Sequence, residues 1–271
     1  MNKATHRLGL RLLSLGLTVT LASCGQAEES PTTSQLRNTS AIARTTASPT
    51  STAEIGSTTT IQNIGDLPEF APLEAKTYYI DPDNDPSTPL RVTYTVPEEG
   101  WLMWIGTVKR EEAVGVDRKV MVSITTVSNL MRDACVDQRL ADPPIGPTVD
   151  DLAAGLAELP PFQMTKPPSD VSINGYSGKH LELTIPDDIS YELRSGGGYW
   201  TDCGRGQLHS WIGTRGFGSF YGYGGPGQVE EFWILDVDGT RLMIQAVWFP
   251  ESPPQDIAEM RTILDSIRIE P

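Results

Sequence analysis

The sequence predicts an α+β fold for residues 66–271, a twisted antiparallel sheet packed between helices. Three observations predict it: segments with alternating apolar residues outnumber helical ones, the two helical segments each carry a single apolar stripe, and Asp238-Gly239 joins two long alternating runs. A helix with one apolar stripe must bury it against something, and a sheet face is the economical partner.

Taken in order, Arg91-Val92-Thr93-Tyr94-Thr95-Val96 alternates and breaks at Pro97-Glu98-Glu99-Gly100-Trp101, a strand ending in a turn. Residues 119–127 form a second strand. Thr148 is placed to cap a helix in which Val149, Leu152, Leu156 and Leu159 share one face, and Pro160-Pro161 ends it. Residues 178–185 and 208–212 are further strands, and 229–249 is a hairpin turning at Asp238-Gly239. The last helix starts at Ser252-Pro253-Pro254-Gln255, where Ser252 and Gln255 have capping-box spacing, and carries Ile257, Met260, Ile263, Leu264 and Ile267 on one stripe. A short strand, 267–270, closes the chain.

Residues 1–23 have the make-up of a secretory leader: Lys3, Arg7 and Arg11, then an uncharged run containing Leu12, Leu13, Leu15, Leu17 and Val19. That run is about half of the ~20 residues a membrane-spanning helix needs, so a permanent span is the weaker reading. Leu21-Ala22-Ser23-Cys24 resembles the lipobox of bacterial lipoproteins. The resemblance implies diacylation of Cys24 as the new N-terminus; ordinary cleavage leaving an unmodified cysteine is the alternative. Two acyl chains anchor stably, since each buried methylene contributes ~0.8 kcal/mol. Residues 24–65, rich in Ser and Thr as in Ser57-Thr58-Thr59-Thr60, read as a disordered tether with a reach of ~35 Å.

Assigning Cys24 to lipid leaves Cys135 and Cys203, an even pair expected to form a disulfide in an oxidising compartment; a thiolate metal site or a reactive thiol are the alternatives. The formal charge is -14, and residues 66–271 hold 16 basic against 32 acidic groups. Such a field repels phosphate backbones, so nucleic acid is excluded as an expected partner, while neutral or cationic partners stay open.

The strand before Pro97-Glu98-Glu99-Gly100-Trp101, the run Ile173-Asn174-Gly175-Tyr176-Ser177-Gly178 with the strand behind it, the long hairpin and the ending Ile263-Leu264-Asp265-Ser266-Ile267 resemble the Mog1/PsbP-like lipoproteins of bacterial envelopes. The resemblance spans most of residues 90–270. It implies an antiparallel sheet between helices and a binding or accessory role, and it supplies no catalytic motif.

Few residues suggest chemistry. His180 and His209 lie in strands outside any nucleophile motif, and no G-x-S-x-G elbow is present. Asp81, Asp83 and Asp85 alternate as calcium ligands do, but Pro86 and Val92 stand where a calcium loop needs Gly and Glu, so a solvated turn is favoured and no metal is expected. Gly222-Tyr223-Gly224-Gly225-Pro226-Gly227 matches the dinucleotide string, yet a strand pattern comes next where a helix is required, so no cofactor is expected either. Between Gly196 and Gly227 the chain is dense in glycine and aromatics. Tyr199, Trp200, Trp211, Phe217, Tyr221 and Tyr223 are the candidate ligand-binding residues, weighed against the plainer reading that these rings fill the core.

The functional expectation is a non-enzymatic, extracytoplasmic protein, lipid-anchored to the cell membrane, that binds an envelope protein or a neutral ligand. The competing expectations are an envelope hydrolase using paired carboxylates from Asp187, Asp188, Glu230 and Glu231, and a purely structural envelope domain.

Overall fold

The computed structural model describes residues 61–104, 106–109, 119–194, 197–214 and 224–270. Cys24, the leader and nearly all of the tether lie outside these. Among the described residues fourteen strands follow one another as β1 (Gln62–Asn63), β2 (Thr77–Ile80), β3 (Arg91–Thr95), β4 (Leu102–Met103), β5 (Gly106–Lys109), β6 (Val120–Leu130), β7 (Gln163–Ile173), β8 (Tyr176–Thr184), β9 (Tyr191–Arg194), β10 (Gly197–Trp200), β11 (Trp211–Gly213), β12 (Val229–Val237), β13 (Thr240–Trp248) and β14 (Arg268–Glu270). The α-helices among the described residues are α1 (Val149–Ala157) and α2 (Pro254–Ser266).

The strands form three sheets. The large one runs β4-β5-β6-β13-β12-β8-β7 with β11 added beside β6, the second runs β1-β2-β3-β14, and β9 with β10 makes a separate ribbon. This corrects the expected α+β arrangement of a sheet packed between helices. Strand dominates the described chain, and the layer facing α2's side of the large sheet is largely another sheet. Tyr78, Ile80, Val92 and Tyr94 of the second sheet join Met260 and Ile263 of α2 in covering Val120, Val122, Ile124, Leu242 and Ile244. On the opposite face Leu152, Ala153 and Leu156 of α1 cover Leu181, Leu183, Phe232, Ile234 and Met243. With both faces covered, β6 is buried at ten of its eleven positions, which is why its sequence is almost continuously apolar or small rather than alternating.

Local chemistry sets the ends of these elements. The hairpin of β12 and β13 turns at Asp238 (φ 50°) and Gly239 (φ 85°), the two successive positive angles of a primed turn whose twist matches the flanking strands. At α1 the Thr148 hydroxyl accepts from the Asp151 N–H at 3.1 Å while Asp151 Oδ2 accepts from the Thr148 N–H at 2.9 Å, a reciprocal cap. The capping box expected from Ser252 and Gln255 does not form. Pro253 is the cap residue of α2, and Ser252 Oγ instead accepts from the Phe249 N–H at 2.9 Å. The start of α2 is held by Lys109, whose ammonium lies 2.7 Å from Asp256 and 2.9 Å from Glu259, and by the Trp101 indole N–H donating to Glu259 at 3.0 Å.

Strand β7 has no counterpart among the strands expected from sequence; it is an edge strand exposed along most of its length and interrupted by Pro167-Pro168. Its register against β8 shifts on both sides of Lys166, so the prolines sit within a bulged stretch where their missing N–H groups break no ladder. Cys135 and Cys203 are disulfide-bonded, as the cysteine count predicts, tying the loop after β6 to the segment before β11.

Candidate ligand groove

Two adjacent carboxylates on β12 face opposite sides of the large sheet, because successive strand residues alternate. Glu230 points to the α1 side and is 0% exposed. It accepts from the side-chain amides of Gln228 and Gln245, and Gln245 in turn accepts from Ser123 Oγ at 3.0 Å. Glu231 points to the α2 side, where its side chain is 6% exposed. His180 Nε2 lies 2.8 Å from Glu231 Oε1, and Arg261 Nη1 donates to Glu231 Oε2.

Both partners of Glu231 stack on tryptophan. The His180 ring lies 5.1 Å from Trp233, and the Arg261 guanidinium 4.8 Å from Trp248, so Trp248, Arg261, Glu231, His180 and Trp233 form one continuous line across β13, α2, β12 and β8. Strand register produces it: His180 stands opposite Trp233 and Glu182 opposite Glu231. Glu182 extends the line toward β7, accepting from Thr165 Oγ1 and Lys166 Nζ, each at 2.7 Å. Burial pushes the Glu182 carboxyl up, but these hydrogen bonds outweigh it and hold the group below the ordinary carboxylate value.

Helix α2 supplies the wall. Met260 and Ile263 enter the core, while Arg261 and Leu264, with Arg268 just beyond the helix, lie on a neighbouring stripe at helical spacing. With Trp233 of β12 and Ile173 of β7, Leu264 and Arg268 of that stripe line a groove between α2 and the large sheet. The groove has a volume of ≈ 290 Å³ and a mixed lining, Ile173, Trp233, Ile244, Leu264 and Ile267 together with the polar Ser172, Asn174, Asp265 and Arg268.

The residues expected to bind ligand from sequence do not converge. Trp200 and Trp211 are 1% and 0% exposed and are core side chains, Trp200 packing edge-on against Tyr191 at 4.8 Å. Tyr199 is half-buried with one face under Arg194, whose guanidinium lies 3.4 Å from the ring centroid, while Gly206 packs so closely that a Cβ there would fall 1.8 Å from the ring. Phe217, Tyr221 and Tyr223 lie outside the described residues, as does part of the glycine string. The string leads into strand β12 and not into a helix.

The remaining candidates are taken up locally. Asp83 and Asp85 accept from N–H and hydroxyl groups of their own loop, including Ser87 Oγ at 2.7 Å and Thr88 Oγ1 at 3.1 Å. Among the described residues no three His, Cys, Asp or Glu are grouped to hold a metal. Asp187 and Asp188 are exposed in a turn, and Glu230 and Glu231 diverge, so these four carboxylates make no acid–base pair. His209 is half-buried, and burial, with Arg205 nearby, lowers its basicity. A further cavity of ≈ 460 Å³ lies at the start of α1, where Lys179 is 2.6 Å from Asp170 and 3.2 Å from Asp150, and Arg241 donates to the carbonyls of Thr148 and Val127 at 3.1 and 3.0 Å while its Nε is buried without a hydrogen-bond partner among the described residues.

No family model matches the sequence and no curated protein sequence matches it, so the resemblance to Mog1/PsbP-like lipoproteins gains no support. Among solved structures, one described as LpqN involved in cell envelope biogenesis of Mycobacterium tuberculosis is similar at 13% identity and a TM-score of 0.29, covering 74% of this chain and 90% of that one. At that TM-score the similarity establishes neither a shared fold nor a shared role.

Proposed function

We propose that the chain is a non-enzymatic binding protein of the bacterial cell envelope, extracytoplasmic and lipid-anchored through Cys24, that takes its ligand in the groove beside α2. The observation that carries this reading is the line through Glu231. A carboxylate withdrawn from water is neutralised by two cationic or protonatable groups, each fixed on a half-buried indole. Such a row is held in place before any ligand arrives, which lowers the ordering cost of binding. The disulfide fits an oxidising exterior, and the leader with its lipobox supplies the route there.

The test uses the chain from Gly25 onward with protein, glycan and lipid fractions of a bacterial envelope, following the melting temperature. A ligand at a hundred times its Kd stabilises by about 2.7 kcal/mol, which raises the Tm of a domain this size by roughly 5–10 °C. One fraction is expected to produce that rise in the wild type and in Tyr199→Ala but not in Trp233→Ala. Equal rises in wild type and Trp233→Ala, or none in the wild type, overturn the reading.

A further inference from the structure

We infer that the groove takes a short linear saccharide laid along β12, one sugar ring against Trp233 and a later ring of the same chain against Trp248. The inference rests on the groove being the binding site and adds the class of its occupant.

Register sets the length. Trp233, Glu231 and Val229 share one face of β12, and Trp248 of β13 lies directly opposite Val229. Four strand positions therefore separate the two indoles along β12, a span of about 13–14 Å. One sugar ring cannot reach from one indole to the other, whereas a chain of rings can. Both indoles are half-buried, and the planar polar groups of Glu231, His180 and Arg261 lie between them. Flat apolar faces alternating with hydrogen-bonding groups match a saccharide, whose rings carry an apolar C–H face and a rim of hydroxyls.

Charge and backbone pairing exclude the other classes. Residues 66–271 hold 16 basic against 32 acidic groups, yet this strip is balanced. Glu231 meets Arg261, Glu182 meets Lys166, and Asp265 and Arg268 stand together at the Trp233 end. A balanced strip attracts neither an anion nor a cation, which leaves neutral ligands. An acyl chain finds no continuous apolar floor, because Ser172, Asn174, Asp265 and Arg268 interrupt the lining. An extended peptide finds no strand edge to join, since β12 is paired with β13 on one side and β8 on the other. What the groove does offer is side-chain donors and acceptors. Asn174 Oδ1 accepts from the Ile269 N–H at 2.9 Å, while among the described residues the Asn174 amide N–H groups, the Asp265 carboxylate and Arg268 Nε and Nη2 take no partner. Hydroxyls, which both donate and accept, satisfy all of these.

The probes are glucose, cellobiose and cellotetraose, with sorbitol supplying hydroxyls that belong to no ring. Each is titrated at millimolar concentration into the isotope-labelled chain from Gly25 onward, and NMR follows the indole N–H signals of Trp233 and Trp248. Cellotetraose is expected to shift both indoles and to bind about ten-fold tighter than glucose, the worth of one further ring stacked on an indole. Sorbitol is expected to shift neither. Trp248→Leu is expected to bring cellotetraose down to the level of glucose while the Trp233 shift persists. Because the sugars are compared on the unaltered protein, the result does not depend on the variant folding. Cellotetraose binding no tighter than glucose, a shift confined to one indole, a shift equalled by sorbitol, or no shift at all overturns the saccharide reading, and a Trp233-dependent rise in Tm with a protein or lipid fraction would then leave the groove standing. No shift together with no such rise overturns both.

Discussion

Replacing both Cys135 and Cys203 by alanine removes a cross-link spanning 68 positions. In the chain-entropy account a closed loop of that length restricts the unfolded chain by about 4 kcal/mol at 25 °C. The folded state gives back little of this, because the two segments stay docked without the bond. The Gly204 N–H donates to the Cys135 carbonyl at 2.7 Å and the His209 N–H to the Ala134 carbonyl at 2.9 Å. The variant is therefore expected to fold to the same structure, lose about 4 kcal/mol in urea unfolding followed by tryptophan fluorescence, and melt roughly 8–16 °C lower. A loss below about 1 kcal/mol would refute the reasoning, since the denatured chain would then hold these segments together without any covalent help.

Three further outcomes are expected. Thr148→Ala removes the reciprocal cap of α1 and should cost about 1 kcal/mol in the same urea assay; an unchanged midpoint would mean the Asp151 contact alone suffices. Gly178→Ala places a Cβ 2.0 Å from the Ile234 carbonyl oxygen, where backbone must move, and should destabilise by roughly 1–3 kcal/mol; a neutral result would show that β8 and β12 can separate freely. Glu259 sets the acid limb of stability: burial pushes its carboxyl up, but hydrogen bonds from Lys109, Trp101 and Gln255 outweigh that and hold it below its ordinary 4.5. A depressed carboxyl contributes stability that is present above about pH 4.5 and lost as pH falls through the lowered value. Circular dichroism against pH should therefore show Lys109→Met unfolding at a higher pH than wild type, and coincident curves would remove Glu259 from the explanation.

Elements whose rules are local are legible in the sequence. Period-two alternation with Asp238-Gly239 locates β12 and β13, the Thr148 cap locates α1, and an even cysteine count pairs Cys135 with Cys203. Strand β7 is not legible, because Pro167-Pro168 argues against a strand wherever an edge position is unknown. The second sheet is hidden for another reason. β14 pairs with β3, bringing Arg268 beside Thr93, and no local pattern reports pairing over that distance. Without that sheet, a largely β molecule reads as a sheet between helices.

The groove is half visible. Glu231 stands out as a carboxylate and His180 as a lone histidine, yet they meet only through the register of β8 on β12, 51 positions apart in sequence. Arg261 sits one stripe away from the core-facing residues of α2, a second helical face that an apolar count does not register. Conversely Trp200 and Trp211 look available only because glycines surround them, and the structure spends those rings on the interior.

The prolines of β7 bear on how copies of the molecule behave toward each other. Eleven residues of strand with one open edge would otherwise offer a row of amides against which a neighbouring copy could align and nucleate fibrous stacking. Pro167 and Pro168 deny that edge a regular run of donors at its middle, and the bulge around them divides the strand into two shorter straight stretches, a poorer template for a neighbouring copy.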